Sequence, residues 1–419
     1  MKIFKFYLSL ILVFALILIL SNCASDENLD KNTIQPETPT PETPTPQIPH
    51  TLDFSYKKKF DDKEIEKLIK TNDNGYIGIF NDTDYINPDY VVIKFDADFN
   101  IVWEKKYGGS KKDYPNSIIQ DKNGEYIIIG RSESNDGDIT ENYGNFDLWI
   151  CKIDKDGKLL WQKSYGGTKD DLFEDIQSDE NGFVLIGMSN SSDHDFPTNK
   201  GGFDSWLIKI NTDGIIENKV NLGTNLDDYG YQLIPFNNNF IAIISNIGNN
   251  NNNYQSIIQL NSIGQIIWKT QLNDLNAGAL ALAHTGDILV ANSTATDYIL
   301  YRLAPNGDIK LRQNITFYDK YKKQPFPTSI IESKDNGVIV TGELGGGNDC
   351  DAIFFRTNSD FSSVISMPII GNDMDLMANI IPLENYNYII PIMTSSSNLP
   401  MERDKNVFIS TMFLSVVEK

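Results

Sequence analysis

Trp103 to Asp113 reads WEKKYGGSKKD, and fifty-eight residues later Trp161 to Asp171 reads WQKSYGGTKDD. Such a pair is either a site used twice or one part of a repeating unit, and a repeat restricts the fold more than any other feature of this chain. The residues from Tyr114 to Asp171 spell out the unit. SIIQD leads into Asn123-Gly124 and EYIIIG; a polar loop follows, then FDLWICKID, Asp156-Gly157 and KLLWQKSY. Asn-Gly between apolar runs predicts a type I′ hairpin, whose two central residues both need positive φ. The unit is thus four short strands, two tight hairpins and one long loop.

The unit recurs along the chain. First hairpins are expected at Asn74-Gly75, Asn123-Gly124, Asn181-Gly182, near Asn238, at Thr285-Gly286, at Asn336-Gly337 and near Asn385, spaced 47 to 58 residues apart. Third strands recur as DYVVIKF, DLWICKI, DSWLIKI, YQSIIQL, DYILYRL, DAIFFRT and, more weakly, NVFISTM. A fourth strand follows only the first six units, whereas YKKKFDD, from Tyr56 to Asp62, is a fourth strand with no first three before it. A closed ring explains both facts, because an N-terminal strand that completes the last blade leaves no open sheet edge. Residues 52–419 are therefore expected to form an all-β, seven-bladed β-propeller of four-stranded antiparallel blades, the last closed by the N-terminal strand.

Residues before this ring have a different character. Lys2 and Lys5 precede an apolar run from Phe6 to Leu20, the layout of a secretory signal. The run ends in Leu20-Ser21-Asn22-Cys23, which resembles the lipobox of bacterial lipoproteins and implies a signal over 1–22 and a lipidated Cys23. The following Ala24-Ser25-Asp26-Glu27 looks like the surface-export signal of Bacteroidota lipoproteins. Two or more acyl chains hold a protein stably on a membrane. Repeated Pro-Glu-Thr-Pro-Thr between Thr33 and His50 favours extended polyproline II. Residues 23–51 thus read as a disordered tether, whose Pro/Thr-rich part reaches roughly 50 Å at about 3.1 Å per residue. The expected location is the outer membrane, facing the cell surface, with a periplasm-facing orientation as the alternative.

The formal net charge of the chain is −21, and removing the signal takes away two lysines and no acids, leaving −23. That balance argues against nucleic acid as a partner. With Cys23 carrying lipid, Cys151 and Cys350 would each sit alone in distant repeats, so both are expected as buried free thiols.

YGGSKKD, NGEYIIIGRSESNDGD and FDLWICKID resemble the repeat of large secreted and surface propellers common in Bacteroidota, closely over Asp89 to Asp228 and less so afterwards. IDKDGKLLW, Ile153 to Trp161, is also similar to the Asp-x-x-Gly-x-x-x-Trp of quinoprotein-type propellers. That resemblance implies that Trp103, Trp161 and Trp268 pack between blades; Asn218 and Leu311 depart from it.

Polar residues that recur in nearly every blade point to architecture. Asp89, Asp147, Asp204, Asp297 and Asp351 open third strands, and Lys94, Lys152, Lys209, Arg302 and Arg356 follow five positions later. Asp113, Asp171, Asp227 and Asp375 recur where one blade passes to the next. An asymmetry is more telling for function. In a meander the two tight hairpins lie on one face of the ring, and the long loops lie with the blade crossings on the other. Irregular loops on a rigid scaffold are where binding residues concentrate. Asp136, Asp138, Asp193 and Asp195 stand at matching places on such loops and are the candidate ligand-binding residues. Asp136 and Asp138 flank a glycine and are also candidate calcium ligands, since calcium takes carboxylate oxygens. No zinc spacing, nucleophile elbow or Walker loop occurs, and the only histidines are His50, His194 and His284. The expected function is a lipid-anchored binding module for a glycan or a protein. One alternative is a structural scaffold, similar in outline to the propeller lipoprotein of the outer-membrane barrel-assembly machine. Another is carboxylate-dependent glycan chemistry.

Overall fold

The computed structural model describes residues 52–418 apart from 62, 83 and 85 and the stretches 249–252, 274–277, 318–322, 346–349, 370–373 and 396–409. The signal, Cys23 and the tether lie outside the described residues. Six sheets of four strands each follow one another along the chain, each pairing strictly in chain order. The seventh combines the short strands Asp375–Met377 and Ile381–Pro382 with Asn387–Thr394, Ser410–Glu418 and, on its outside, Leu52–Asp61. The chain is a seven-bladed β-propeller. Its closure is the expected one: Leu52 pairs with Glu418 and Asp61 with Ser410, antiparallel. As a fourth strand, Leu52–Asp61 runs from the tight-turn face to the long-loop face, where the chain crosses into blade 1.

Seven apolar clusters hold the ring, one in each gap between neighbouring blades. The gap that closes the circle joins Phe80, Ile93 and Phe95 of blade 1 to Ile381 and Ile389 of blade 7. Central strands are buried along their whole length, as in Asp147–Ile153 and Gly182–Ser189. This is why they read as unbroken apolar runs instead of alternating ones. Cys151 and Cys350 are buried thiols.

Three local expectations are corrected. The Asn-Gly hairpins are not type I′. In blade 2 the N–H of Gly124 donates to the carbonyl of Asp121 and only Gly124 has positive φ, 82°. In blade 1 the left-handed residue is Asn74, at φ 65°. Both are type I turns followed by one left-handed residue, with the Asp121 side chain also accepting from the N–H groups of Asn123 and Glu125. Paired positive φ occurs instead at Asn237-Asn238 and Asn385-Tyr386. The third strand of blade 7 overlaps the end of NVFISTM and runs on from Ser410 to Glu418; this register puts Val416 into the core shared with blade 6. Finally, the crossing acid of blade 4 is Asp228, not Asp227. Asp228 accepts from the N–H of Thr224 four residues back, as Asp113 does from Gly109 and Asp171 from Gly167.

The recurring residues build blades. Trp103 donates its indole N–H to the carbonyl of Lys155 in the next blade at 3.0 Å, and Trp268 donates likewise to Pro305 at 3.1 Å. Asn218, which replaces tryptophan, makes the same bond to Ile263 at 2.9 Å. The third-strand cations pair with acids near the tight turns: Lys94 with Asp73, Lys152 with Asp121 and Glu125, Lys209 with Asp179, Arg302 with Glu332, Arg356 with Asp335.

Candidate functional site

The four loop acids named above lie where expected, on the long-loop face. Asp136 Oδ1 accepts from the N–H of Ser110 at 2.7 Å, and Asp138 Oδ2 from Gly108 at 3.2 Å. One blade on, Asp193 Oδ1 accepts from Thr168 at 2.8 Å and Asp195 Oδ2 from Gly166 at 3.3 Å, while Lys219 approaches Asp195 to 3.6 Å. The acids therefore clasp the Tyr-Gly-Gly crossing that leads into their own blade, which explains why the two motifs travel together. Glycine is required there: a Cβ on Gly109 would stand 2.6 Å from the Asp136 carbonyl oxygen and the Ser134 Cβ. These hydrogen bonds hold the carboxyls of Asp136 and Asp193 below the usual range. Asp136 and Asp138 turn to different N–H groups, and no cluster of three or more His, Cys, Asp or Glu side chains suited to a metal occurs among the described residues. The pair does not supply the six to eight oxygens that calcium takes.

A site that the sequence reading did not single out lies at the centre of the ring. The inner strands of five blades carry a β-bulge at one level: the register shifts between Ile65 and Lys67, Pro115 and Ser117, Phe173 and Asp175, Gly230 and Gln232, and Pro327 and Ser329. Bulges re-aim side chains. Here the extra residues are Glu66, Asn116, Glu174, Tyr231 and Thr328, and all but Asn116 line one cavity in the channel, of about 540 Å³. Asn116 touches it through Glu174, donating to Oε2 at 2.7 Å. Glu343, at the end of the second strand of blade 6, joins the lining, as do Tyr114 and Asp82. The cavity runs toward the long-loop face, since Asp82, Asp84 and Cys350 belong to the loops there.

Beneath the bulges the next residue of each inner strand ties blade to blade. Lys67 donates to Ser117 at 2.8 Å and to Asp175 at 2.9 Å, and Ser117 donates to Asp175 at 2.8 Å. Asp175 accepts from the N–H of Leu233, Gln232 from Leu280, Ser329 from Ile380 and Asn379 from Leu68. Among the described residues, blade 5 has Ala279 at this position and makes no such tie. A polar residue just before an apolar pair, as in Ser117-Ile118-Ile119 and Ser329-Ile330-Ile331, is the sequence signal for this girdle.

The chemistry of the lining is unusual for so acidic a set. Burial pushes Glu66 up to about 7, against the pull of Arg131, and Glu343 up to about 7 with no opposing charge. Burial also raises Glu174, which shares the Arg131 field. Arg131 itself stacks over Tyr114 and Phe146 at 5.0 and 5.5 Å. Between the blades that carry Glu343 and Glu66, blade 7 presents Met374, Leu376, Met377 and Met393. A second, more open hollow on the same face, by Phe203 and Tyr229, has no comparable set of enclosed acids.

Comparison with known proteins agrees on the fold. The chain is similar to the structure of the Dos1 propeller, at 9% identity and a TM-score of 0.50, over 84% of this chain and 78% of that one. It is similar also to the Neurospora crassa Pan2 WD40 domain, at 9% identity and a TM-score of 0.51, over 87% and 95% of the two chains. No protein-family model matches the sequence, and no curated protein matches it.

Proposed function

We propose that this chain is a lipid-anchored binding module of the bacterial cell envelope that takes a glycan or a protein segment at the long-loop mouth of its central channel. One observation carries the reading: a cavity of about 540 Å³ whose polar and aromatic lining comes from residues the blade repeat does not require. A pocket with a few convergent polar groups and shifted carboxyls is where ligands are expected. The anchoring part rests on Lys2, Lys5, the apolar run and Cys23. The four loop acids stand around the same face, where the oxygens not engaged with backbone can touch a ligand that extends beyond the mouth.

Glycan arrays and pull-downs with the mature chain test this. Tyr231→Ala with Glu174→Gln abolishes capture, changing Asp136, Asp138, Asp193 and Asp195 together to Asn weakens it less, and Lys122→Ala or Lys155→Ala on the tight-turn face leaves it intact. Capture that survives the channel substitutions and is lost with the lysines moves the site to the other face. Cys23→Ala releases the protein from membranes; a variant that matures and fractionates like the parent removes the anchor. A scaffold role is the second reading. It draws on exposed aliphatic residues at the starts of outer strands, among them Val102, Leu160, Ile267 and Ile309.

A further inference from the structure

The channel mouth, taken as the binding site by the reading above, has a one-sided hydrogen-bonding inventory. Asn81 and Asn116 each donate their amide N–H to a carboxyl, Glu66 and Glu174 respectively, and each keeps a buried carbonyl oxygen with no partner. Asn81 lines the cavity, but its carbonyl oxygen is enclosed, so its amide serves to hold Glu66 in place. Glu343 has no side-chain partner among the described residues; Tyr298 bonds only its backbone carbonyl, at 2.8 Å. What the cavity has in excess is carboxyl acceptors.

It also lacks positive charge. Seven carboxyl side chains line it against one ammonium, Lys67, and Lys67 is held by Asp175 at 2.9 Å. Asp82 is answered by Lys106 at 2.5 Å. Glu66 faces Arg131, Glu64, Asn81 and Glu174, and Glu343 faces Tyr298. The acids are dispersed over several blades and form no metal-holding cluster among the described residues. Between Glu343 of blade 6 and Glu66 of blade 1 stands the wall of Met374, Leu376, Met377 and Met393, a flexible apolar surface suited to an alkyl chain. Tyr114 and Tyr231 add aromatic faces, which attract cations.

We propose that the channel mouth binds an aliphatic ammonium group, its carbon chain along the methionine wall of blade 7 and its N–H donors turned to Glu66 and Glu343. A bound cation favours the ionised carboxyls, so binding releases protons and strengthens as pH rises from 6 to 8, the window set by the values of about 7 for Glu66 and Glu343. The ammonium can come from a lysine side chain of a peptide or from an amino sugar, and the probes separate the two.

Calorimetry with the mature chain uses Nα-acetyl-lysine amide, its neutral Nα,Nε-diacetyl counterpart, glucosamine and N-acetylglucosamine. The expected result is that one charged probe binds at least about tenfold more tightly than its neutral counterpart, and that Glu343→Gln removes about that factor. Binding of the preferred probe strengthens about tenfold from pH 6 to pH 8 if one proton is released. Equal binding of charged and neutral probes, or a charged probe indifferent to Glu343→Gln, overturns the proposal. If both amines fail while a neutral glycan binds and is lost in Tyr231→Ala, the channel remains the site and the ammonium does not. If every ligand found ignores Tyr231→Ala and Glu174→Gln, both fall. Folding of each variant is checked by its melting curve, so a lost signal is assigned to the site and not to collapse.

Discussion

Asp171 and Glu343 are both carboxyls that burial pushes up to about 7, yet only one of them has partners. Asp171 accepts from the N–H of Gly167 at 2.6 Å, from Ser191 Oγ at 3.0 Å and from Ser189. Its equivalents Asp113 and Asp228 are held in the same way. Glu343 occurs once, in one blade, and is left facing the channel. An acid that returns in several blades, as at Asp113, Asp171 and Asp228, is fastened into the blade. An acid that appears once is available for something outside it.

Removing the fastened acid is expected to have the largest effect. Asp171→Ala strands one N–H and two hydroxyls in a buried crossing and lowers unfolding free energy by about 3 kcal/mol, at about 1–3 kcal/mol for a buried group left unsatisfied; denaturant titration measures it. A loss under 1 kcal/mol breaks the comparison. Gly167→Ala follows, since its Cβ would lie 2.5 Å from Asp193 Oδ1 and 2.6 Å from Ser191 Cβ; strain of this kind costs about 1–3 kcal/mol.

The pH profile sharpens the contrast. Asp147, Asp171, Glu66 and Glu343 sit near 7 when folded, raised by burial from 3.8 or 4.5. The folded state therefore binds more protons than the unfolded one between about pH 4 and 7, and these groups' contribution to stability falls as pH rises through that window. Glu343→Gln removes its share, so the variant gains on the parent between pH 5 and pH 8 in melting temperature; a parallel profile counts against a carboxyl left without compensation. The smallest effect belongs to the half-buried Asp193. Asp193→Ala loses bonds to the N–H and hydroxyl of Thr168 and lowers the melting point less than Asp171→Ala does.

Much of the ring was legible because it is written several times over. Asn123-Gly124 and Asp156-Gly157 mark hairpins wherever the unit recurs, and the orphan strand at Tyr56 could be matched to a missing partner. Turn type was less legible, because a left-handed residue after a type I turn uses the same Asn-Gly letters as type I′. The register of Ser410–Glu418 was hidden because NVFISTM also satisfies a strand pattern, and only packing of Val416 decides between them. The face of the candidate site was visible in loop length, but the channel was not. Glu66, Asn116, Glu174, Tyr231 and Thr328 share a bulge and nothing else, so a search for recurring letters passes over them. They emerge only when backbone register aligns positions whose side chains differ.

The closing strand has a mechanical consequence. Leu52–Asp61 enters from the tight-turn face and lies lengthwise against Ser410–Glu418. Backbone hydrogen bonds in an antiparallel pair stand perpendicular to the strands. If the chain before Leu52 is fixed to a surface and a captured ligand pulls on the far face, tension runs along that strand. It then loads the bonds of the seam side by side, in shear, and does not peel them apart singly. The joint that completes the circle is thus also oriented to withstand a tug between the two faces of the ring.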